Sequence, residues 1–293
     1  MATGRGTGAG WSSVDQEPEG CVQYLDSVSG TDAAQAYKRQ VLNFLALQDG
    51  DHVLEVGCGT GDDVRVMAGL VGSKGRVVDV DSSATMIAEA RKRGEGLGLP
   101  IEYRVGDAHH LDFADNSFHG CRADRTFQHL ERPETALAEM FRVSRSEGRI
   151  VVVDPDWETL VVDAPDVSVT RKILNIRGDT VRNAWIGRRL FSLFREAGLV
   201  HIAVAPMAFG WTDYTLADGM FAFEESAQNA VKAGAVSSQE ADTWLGHLKE
   251  ASQKQIFSRA LRCLSSPDAS RNRHLRPGGM SSSRQGRAGI CRT

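Results

Sequence analysis

Strand-like and helix-like segments alternate over residues 51–154, and this alternation constrains the fold more than any other feature of the chain. Short apolar strands, HVLEV at the start and GRIVVVD at the end, are separated by segments with apolar residues at helical spacing. Parallel strands need crossover connections, and the crossover helices cover both faces of the sheet. The pattern predicts an α/β, Rossmann-like, mostly parallel sheet with helices on both faces.

Composition changes at both ends and sets the predicted domain boundaries. Residues 1–19 are rich in Gly, Ser and Thr, and residues 265–293 carry six arginines with few large apolar side chains. Neither segment has enough apolar surface to offset its ordering entropy, so we expect both to be disordered, the second as a basic tail. The folded domain is therefore predicted over residues 20–264.

Outside the alternating region the pattern is looser. Residues 184–197 have the spacing of a helix, and residues 199–207 read as a strand. Residues 216–256 look helical and polar where a compact fold would make a short hairpin. We expect them, with helices over about residues 20–47, to form a lid over the site.

Charge and cysteine content limit the classes of partner. The net charge of −4 argues against general affinity for nucleic acid or a membrane surface. Five cysteines are scattered without CxxC spacing, which favours reduced thiols over a disulfide framework. No apolar run reaches the length of a membrane span, and no secretory signal is visible. We expect a cytoplasmic monomer or homodimer.

The turn after the first strand, in VLEVGCGTGDDV, indicates a nucleotide site. Gly57 and Gly59 fit the dinucleotide fingerprint, but Asp62 stands where its third glycine belongs, and no Walker lysine follows. Asp62 and Asp63 fall at the start of the next helix, where a pyrophosphate would meet two like charges. A ligand with an ammonium and a sulfonium group, such as S-adenosylmethionine (SAM), is cationic and would not meet like charges there.

Acids at the ends of the next two strands fit the same ligand. Asp81 ends the second strand, where a carboxylate accepts hydrogen bonds from both ribose hydroxyls. Asp107 follows the third strand and is placed to accept from the adenine amino group, while the Ala108 N–H donates to a ring nitrogen. Met86 is placed to lie against the adenine face. The loop and these acids together predict SAM as the cofactor.

These motifs carry a resemblance to a known family. VLEVGCGTG, VVDVD, GDA and GRIVVVDPDW resemble the motifs of class I SAM-dependent methyltransferases, of the small-molecule ubiquinone/menaquinone-biosynthesis type. The resemblance covers roughly residues 35–210, with weaker likeness to about residue 257. The chain departs from the family at Phe118-His119, where Phe-Asp is usual, and at Ser146-Glu147-Gly148, where Pro-Gly-Gly is usual.

The resemblance implies a seven-stranded sheet whose last strand is antiparallel. QIFSRALRCL, the stretch available for that strand, has few β-branched residues, so we expect the strand to be short, irregular or missing. The cofactor-binding residues, implied by the resemblance or placed by the motifs, are Glu55, Gly57, Gly59, Gly61, Asp81, Met86, Asp107, Ala108 and Arg125.

The methyl acceptor is predicted beside ADRTFQHLERP, which follows the fourth strand. Transfer from a sulfonium is an in-line displacement, so the protein mainly positions and desolvates the reactants. A hydroxyl acceptor also needs a base, and His129 is the best candidate because histidine titrates near neutrality. The alternatives are that His129 only orients the substrate or caps a helix. Gln128 is a candidate orienting group, and Arg125 pairs either with a ligand carboxylate or with Asp124 or Glu131.

Two later motifs complete the predicted acceptor pocket. In DPDW, Asp156 and Trp157 are candidates for an acidic and aromatic wall, although Asp154 and Pro155 would equally serve as a turn that ends the strand. In RNAW, Asn183 is a candidate pocket residue or a helix cap.

The sequence leaves several functions to weigh. The leading hypothesis is an enzyme that methylates an O, N or C atom of a small molecule. The alternatives are methylation of a protein or RNA, a non-catalytic SAM-binding protein, and a nicotinamide-dependent oxidoreductase, against which Asp62 argues. His109, His110 and Asp112 have only loose metal-like spacing, so no metal is expected.

Overall fold

The structure, a computed structural model, describes residues 18–255 and 257–266. Its strands are β1 (His52–Val56), β2 (Arg76–Asp81), β3 (Ile101–Val105), β4 (Phe118–Asp124), β5 (Ser144–Val162), β6 (Ala205–Trp211) and β7 (Arg259–Ser266). They form one sheet in the order β3-β2-β1-β4-β5-β7-β6. Strands β1 to β5 pair in parallel, whereas β7 is antiparallel to both β5 and β6. The predicted α/β, mostly parallel fold is confirmed.

Helices lie between and beyond these strands, and side-chain caps fix several of their first residues. Thr31, Ser83 and Ser237 each accept a hydrogen bond from a backbone N–H of the first turn. The helices are α1 (Pro18–Ser29), α2 (Asp32–Leu45), α3 (Asp62–Val71), α4 (Ala84–Gly94), α5 (Pro133–Val143), α6 (Val167–Asp179), α7 (Ile186–Glu196), α8 (Tyr214–Phe221), α9 (Phe223–Lys232) and α10 (Ser238–Gln253). Among the described residues, none of them has the length and apolar character that a membrane span requires.

Two strand boundaries differ from the sequence prediction. β5 does not end at Asp154 but continues to Val162, because its far end pairs with β7. β6 begins at Ala205 and not at residue 199. The apolar residues Leu199 and Ile202, which suggested the earlier start, pack into the core from the connection after α7.

The expectation that the last strand is short or missing is wrong, whereas the expected irregularity is present on one side of it. β7 is eight residues long and lies between β5 and β6, pairing with both. Its irregularity is confined to the β5 side, where the register shifts between Asp156 and Val161. Backbone hydrogen bonds from two neighbours outweigh the poor strand propensity of this stretch. The predictions of disorder for residues 1–17 and 267–293 lie outside the described residues.

Three large apolar clusters hold the molecule together. One packs α5 and α7 against one face of the sheet, and a second packs α2 and α3 against the other. The third joins α6 and α8–α10 to Trp157 and Leu160 of β5 and to Val28 of α1. This third cluster places a helical layer over the end of β5, on the side where the glycine-rich turn also lies.

Candidate active site

The glycine-rich turn between β1 and α3 brings bare backbone close to two neighbouring elements. Gly57 has φ +81°, and a Cβ there would lie 2.2 Å from Thr126 Oγ1. Gly59 has φ +57°, and a Cβ there would lie 2.9 Å from Leu25 Cδ1 of α1. Both positions therefore require glycine. Gly61, also left-handed, stands at the N-terminus of α3.

Asp81 connects this turn to the start of α4. Its Oδ2 accepts a hydrogen bond from the Gly59 N–H at 3.2 Å, and its Oδ1 accepts from the Ser83 N–H at 2.9 Å. The side chain is half-buried at the carboxyl end of β2. Asp81 thus lies beside the turn, as a ribose-binding carboxylate must.

The residues assigned to the adenine end are near the same edge but differ in exposure. The Asp107 side chain is 64% exposed, and its Oδ1 accepts from the His109 N–H at 2.9 Å, the main cause that lowers the pKa of Asp107. Ala108 is buried. Met86 is fully buried and packs with Leu25 of α1. Helix α1 therefore covers the position predicted for the adenine face.

A buried charge cluster, which we call the Arg122 cluster, lies behind the glycine-rich turn. The Arg122 side chain is 0% exposed and donates to Glu55 Oε1 at 2.7 Å, Asp63 Oδ2 at 2.8 Å and Asp124 Oδ2 at 2.6 Å. Lys38 of α2 adds a second cation, 3.1 Å from Asp63 Oδ1. Sequence reasoning missed this cluster. The sequence does contain one indication of the cluster, because Arg122 lies in a predicted buried strand two residues before Asp124, and a buried arginine needs acidic partners.

The cluster leaves carboxylate oxygens unused. Glu55 Oε2 and Asp124 Oδ1 are buried and have no hydrogen-bond partner among the described residues. Burial raises the pKa of Glu55 to about 8, an effect that the charge of Arg122 only partly offsets. A cation bound beside Glu55 Oε2 would favour the ionised form of this group, which burial alone disfavours. The buried oxygens of Glu55 and Asp124 therefore fit a cationic group, and the ammonium of SAM is such a group.

The two acids after the turn are paired within the protein. Asp62 forms an ion pair with Arg65, and Asp63 belongs to the Arg122 cluster. Although burial opposes it, the charges of Arg122 and Lys38 lower the pKa of Asp63. Both acids therefore have cationic partners within the protein. The acceptors left over are those of Glu55 and Asp124.

Asp79 in β2 is a second buried carboxyl group near the turn. It is 0% exposed, and burial raises its pKa to about 7, with the Cys58 thiol acting in the opposite direction. A folded-state pKa above the ordinary value means that folding favours the protonated form. The contribution of Asp79 to stability is therefore full below about pH 4 and is lost as the pH rises to about 7.

Replacing Asp79 with asparagine should accordingly flatten the pH dependence of stability. We expect the variant to gain about 2 kcal/mol in unfolding free energy relative to the parent between pH 5 and pH 8. Urea unfolding at both pH values measures this, with the exposed Asp112→Asn as the matched control. A constant difference between parent and Asp79→Asn at the two pH values would contradict the assignment.

A cavity of about 60 Å³ opens at the carboxyl ends of β4 and β5. Its charged lining residues are Asp124 and Arg125, the latter in a left-handed conformation with φ 55°. The roof comes from α1, α2, β6 and α8. Six of the lining side chains are aromatic, namely Tyr24, Tyr37, Trp157, Phe209, Trp211 and Phe221. The cavity therefore suits a flat or apolar molecule.

Gln128 and Trp157 both line this cavity and brace each other. Trp157 Nε1 donates to Gln128 Oε1 at 2.8 Å, and Gln128 Nε2 donates to the Arg125 carbonyl at 2.9 Å. Arg177, which sequence reasoning missed, lies 4.5 Å from the centre of the Trp157 ring and donates to the Phe221 carbonyl. These contacts favour a supporting role for Gln128 over the predicted orienting role.

The structure does not bring Asp156 or Asn183 to the cavity. Asp156 is buried and forms a two-point ion pair with Arg188 of α7, with both oxygens at 2.7 Å. Asn183 donates its amide to the carbonyls of Phe127 and Leu130. Both residues hold the segments around the cavity, and neither is among its lining residues.

The base role predicted for His129 is not supported. His129 ends the 3-10 turn Phe127–His129 and is not among the residues that line the cavity. Burial, followed by the charges of Arg125, Arg177 and Arg182, lowers its pKa to about 3. A histidine with such a pKa is neutral at pH 7 and binds a proton weakly.

Asp154 instead supports the turn. Its buried carboxyl group accepts from the backbone N–H groups of Phe127 and Gln128 at 3.0 and 3.1 Å, and burial raises the pKa of this group well above its ordinary value. These two hydrogen bonds fix the path of the chain after β4 and thereby the position of Arg125. The DPDW motif therefore does not end the strand, and only part of it forms a wall of the pocket. Among its residues, Pro155 and Trp157 line the cavity.

Comparisons with known proteins agree with this geometry. Residues 54–152, which contain the glycine-rich turn, Asp81 and most of the Arg122 cluster, match the family model described as a methyltransferase domain. A 37.1 kDa protein in transposon Tn4556 of Streptomyces fradiae, described as uncharacterized, is 39% identical over 228 residues. That match covers 78% of this chain and 66% of the Streptomyces protein, which is just under two thirds of its length.

An enzyme and a solved structure extend the comparison. Demethylmenaquinone methyltransferase of Bacillus cereus is 26% identical over 202 residues, covering 64% of this chain and 85% of the enzyme. A Bacillus halodurans crystal structure assigned as a methyltransferase shares the fold, with a TM-score of 0.57 and 20% identity, covering 78% of this chain and 96% of that one. The match over residues 54–152 identifies that part of the chain as a methyltransferase domain.

Proposed function

We propose that the protein transfers a methyl group from SAM to an O, N or C atom of a small molecule bound in the aromatic cavity. One observation carries this proposal: the unused carboxylate oxygens of Glu55 and Asp124 lie at the glycine-rich turn, and Asp124 also lines the cavity. A cofactor bound at the glycine-rich turn would present its methyl group toward the aromatic cavity. The resemblance to demethylmenaquinone methyltransferase supports a small-molecule acceptor.

The residues of this chain would bind the cofactor at several points. Glu55 and Asp124 accept from the ammonium group, the backbone of the glycine-rich turn lies close to the ligand, and Asp81 accepts from the ribose. Met86 and Asp107 flank the adenine. SAM supplies an activated methyl group on a sulfonium, so the protein contributes position and the exclusion of water.

The roof of the cavity must move for an acceptor to enter. A volume of about 60 Å³ is far below the 300 Å³ or more that ligand pockets usually provide. Helices α1 and α2, together with α8–α10, are the proposed lid within a domain of residues 20–264. The proposal includes that the protein is cytoplasmic, is a monomer or homodimer and does not bind nucleic acid.

Calorimetric titration tests the cofactor. We expect S-adenosylhomocysteine to bind and NAD to give no heat. The Asp81→Asn variant should bind S-adenosylhomocysteine about 1–3 kcal/mol more weakly, the usual loss for charge-assisted hydrogen bonds. Asp112→Asn, an exposed acid outside the site, is the matched control. Heat with NAD and none with S-adenosylhomocysteine would sink the proposal.

A panel of labelled-methyl assays then identifies the acceptor atom. Flat phenols, aromatic amines and enolisable ring carbons cover the three classes, and the NMR shift of the transferred methyl group shows whether it is bonded to O, N or C. Retention of S-adenosylhomocysteine binding without transfer to any member of a broad panel would instead favour the non-catalytic alternative.

A further inference from the structure

Tyr37 is a cavity residue that also faces the Arg122 cluster. It lies on α2, is 9% exposed and makes an edge contact with Phe209 of β6, with ring centres 5.0 Å apart. The next residue, Lys38, pairs with Asp63 in the first turn of α3. Helix α2 is thus tied to the turn after β1 at Lys38 and to the acceptor cavity at Tyr37.

The hydroxyl of Tyr37 is not needed for packing. It is buried and has no hydrogen-bond partner among the described residues. A buried hydroxyl without a partner destabilises the fold, whereas phenylalanine would keep the same ring contact without that cost. Burial and then the charge of Asp124 raise the pKa of Tyr37 well above its ordinary value, so the group stays a protonated donor.

Tyr37 lines the same cavity as Asp124, one of the two acids with an unused carboxylate oxygen. Arg122 satisfies one oxygen each of Glu55 and Asp124 and leaves Glu55 Oε2 and Asp124 Oδ1 without partners. An α-amino acid group carries three ammonium donors and two carboxylate acceptors. Two carboxylates and one phenol are complementary to it, because the carboxylates accept from the ammonium and the phenol donates to the carboxylate.

We propose that Tyr37 is a positioning residue that donates its hydroxyl to the amino-acid end of the cofactor and so couples cofactor binding to the placement of α2 over the acceptor. The proposal rests on the proposed function, since it assumes that SAM binds at the glycine-rich turn. It assigns to α2 a polar contact that no motif in the sequence indicates.

A pair of ligands tests the proposal. S-adenosylhomocysteine has the amino-acid end, and 5′-methylthioadenosine lacks it. The Tyr37→Phe variant should bind S-adenosylhomocysteine about tenfold or more weakly but bind 5′-methylthioadenosine as the parent does. Its melting temperature without ligand should be unchanged or higher, because an unpaired buried hydroxyl has been removed. Tyr103→Phe is the matched control, because it also removes a buried hydroxyl without a partner among the described residues but does not line the cavity, and it should change neither affinity.

The outcomes separate the two proposals. If the parent binds neither adenosine ligand, the proposed function fails. If the parent binds both and Tyr37→Phe binds S-adenosylhomocysteine as tightly as the parent, the role of Tyr37 is overturned. Equal losses for both ligands would also overturn it, since they would show that Tyr37 only shapes the pocket.

Discussion

Replacing Arg122 with methionine should lower the free energy of unfolding by about 3–5 kcal/mol, the usual cost of removing one partner from a buried ion network. Methionine fills a similar volume but leaves Glu55, Asp63 and Asp124 facing one another, with Lys38 as the remaining cation of the cluster. Arg122 is 0% exposed, so solvent cannot replace its charge.

The loss in unfolding free energy caused by Arg122→Met should grow as the pH rises. The charge of Arg122 lowers the pKa values of Glu55 and Asp63, so without it these values rise and the folded state holds protons that the unfolded state releases. Stability of the variant is then greatest below the ordinary carboxyl pKa values and falls as the pH rises. Binding of S-adenosylhomocysteine should weaken as well, because Arg122 fixes the oxygens of Glu55 and Asp124.

Urea unfolding at pH 5 and pH 8 provides the measurement. Arg76→Met is the matched control, because Arg76 pairs with Glu102 at a half-exposed position on the same sheet. Its effect should stay below about 1 kcal/mol. An Arg122→Met variant within 1 kcal/mol of the parent at pH 8 would show that the cluster contributes little to stability.

The parallel part of the sheet and the cofactor turn were predictable from the sequence. Apolar strands alternate with amphipathic helices there, and a backbone of glycines beside Asp81 has few uses other than ligand approach. These features depend on residues that are neighbours in the chain, which is what periodicity and motifs report.

The roles around the acceptor were not predictable because they depend on contacts between distant segments. His129 looked like a base, but its pKa is set by burial and by Arg177, which comes from α6. Gln128 looked like a substrate contact, but Trp157, 29 residues later, accounts for its amide oxygen. No local pattern in the sequence brings these side chains together.

Removing β7 should be the other large effect. Deletion of residues 257–293 takes away a strand that pairs with β5 on one side and β6 on the other. β6 would then have no sheet partner, and part of β5 would have an open edge with unpaired backbone groups. Phe257, fully buried in the third cluster, is lost as well.

We expect this deletion to lower the melting temperature by about 10 °C or more, or to yield insoluble protein, since several kcal/mol of stability are lost. Deletion of residues 267–293 is the matched control. That segment has six arginines and few large apolar side chains, so its composition predicts little change in melting temperature or in S-adenosylhomocysteine affinity. Thermal unfolding followed by circular dichroism compares the two. Equal, cooperative melting of both deletions would show that β7 is dispensable, and a large fall for the shorter one would show that the basic segment belongs to the fold.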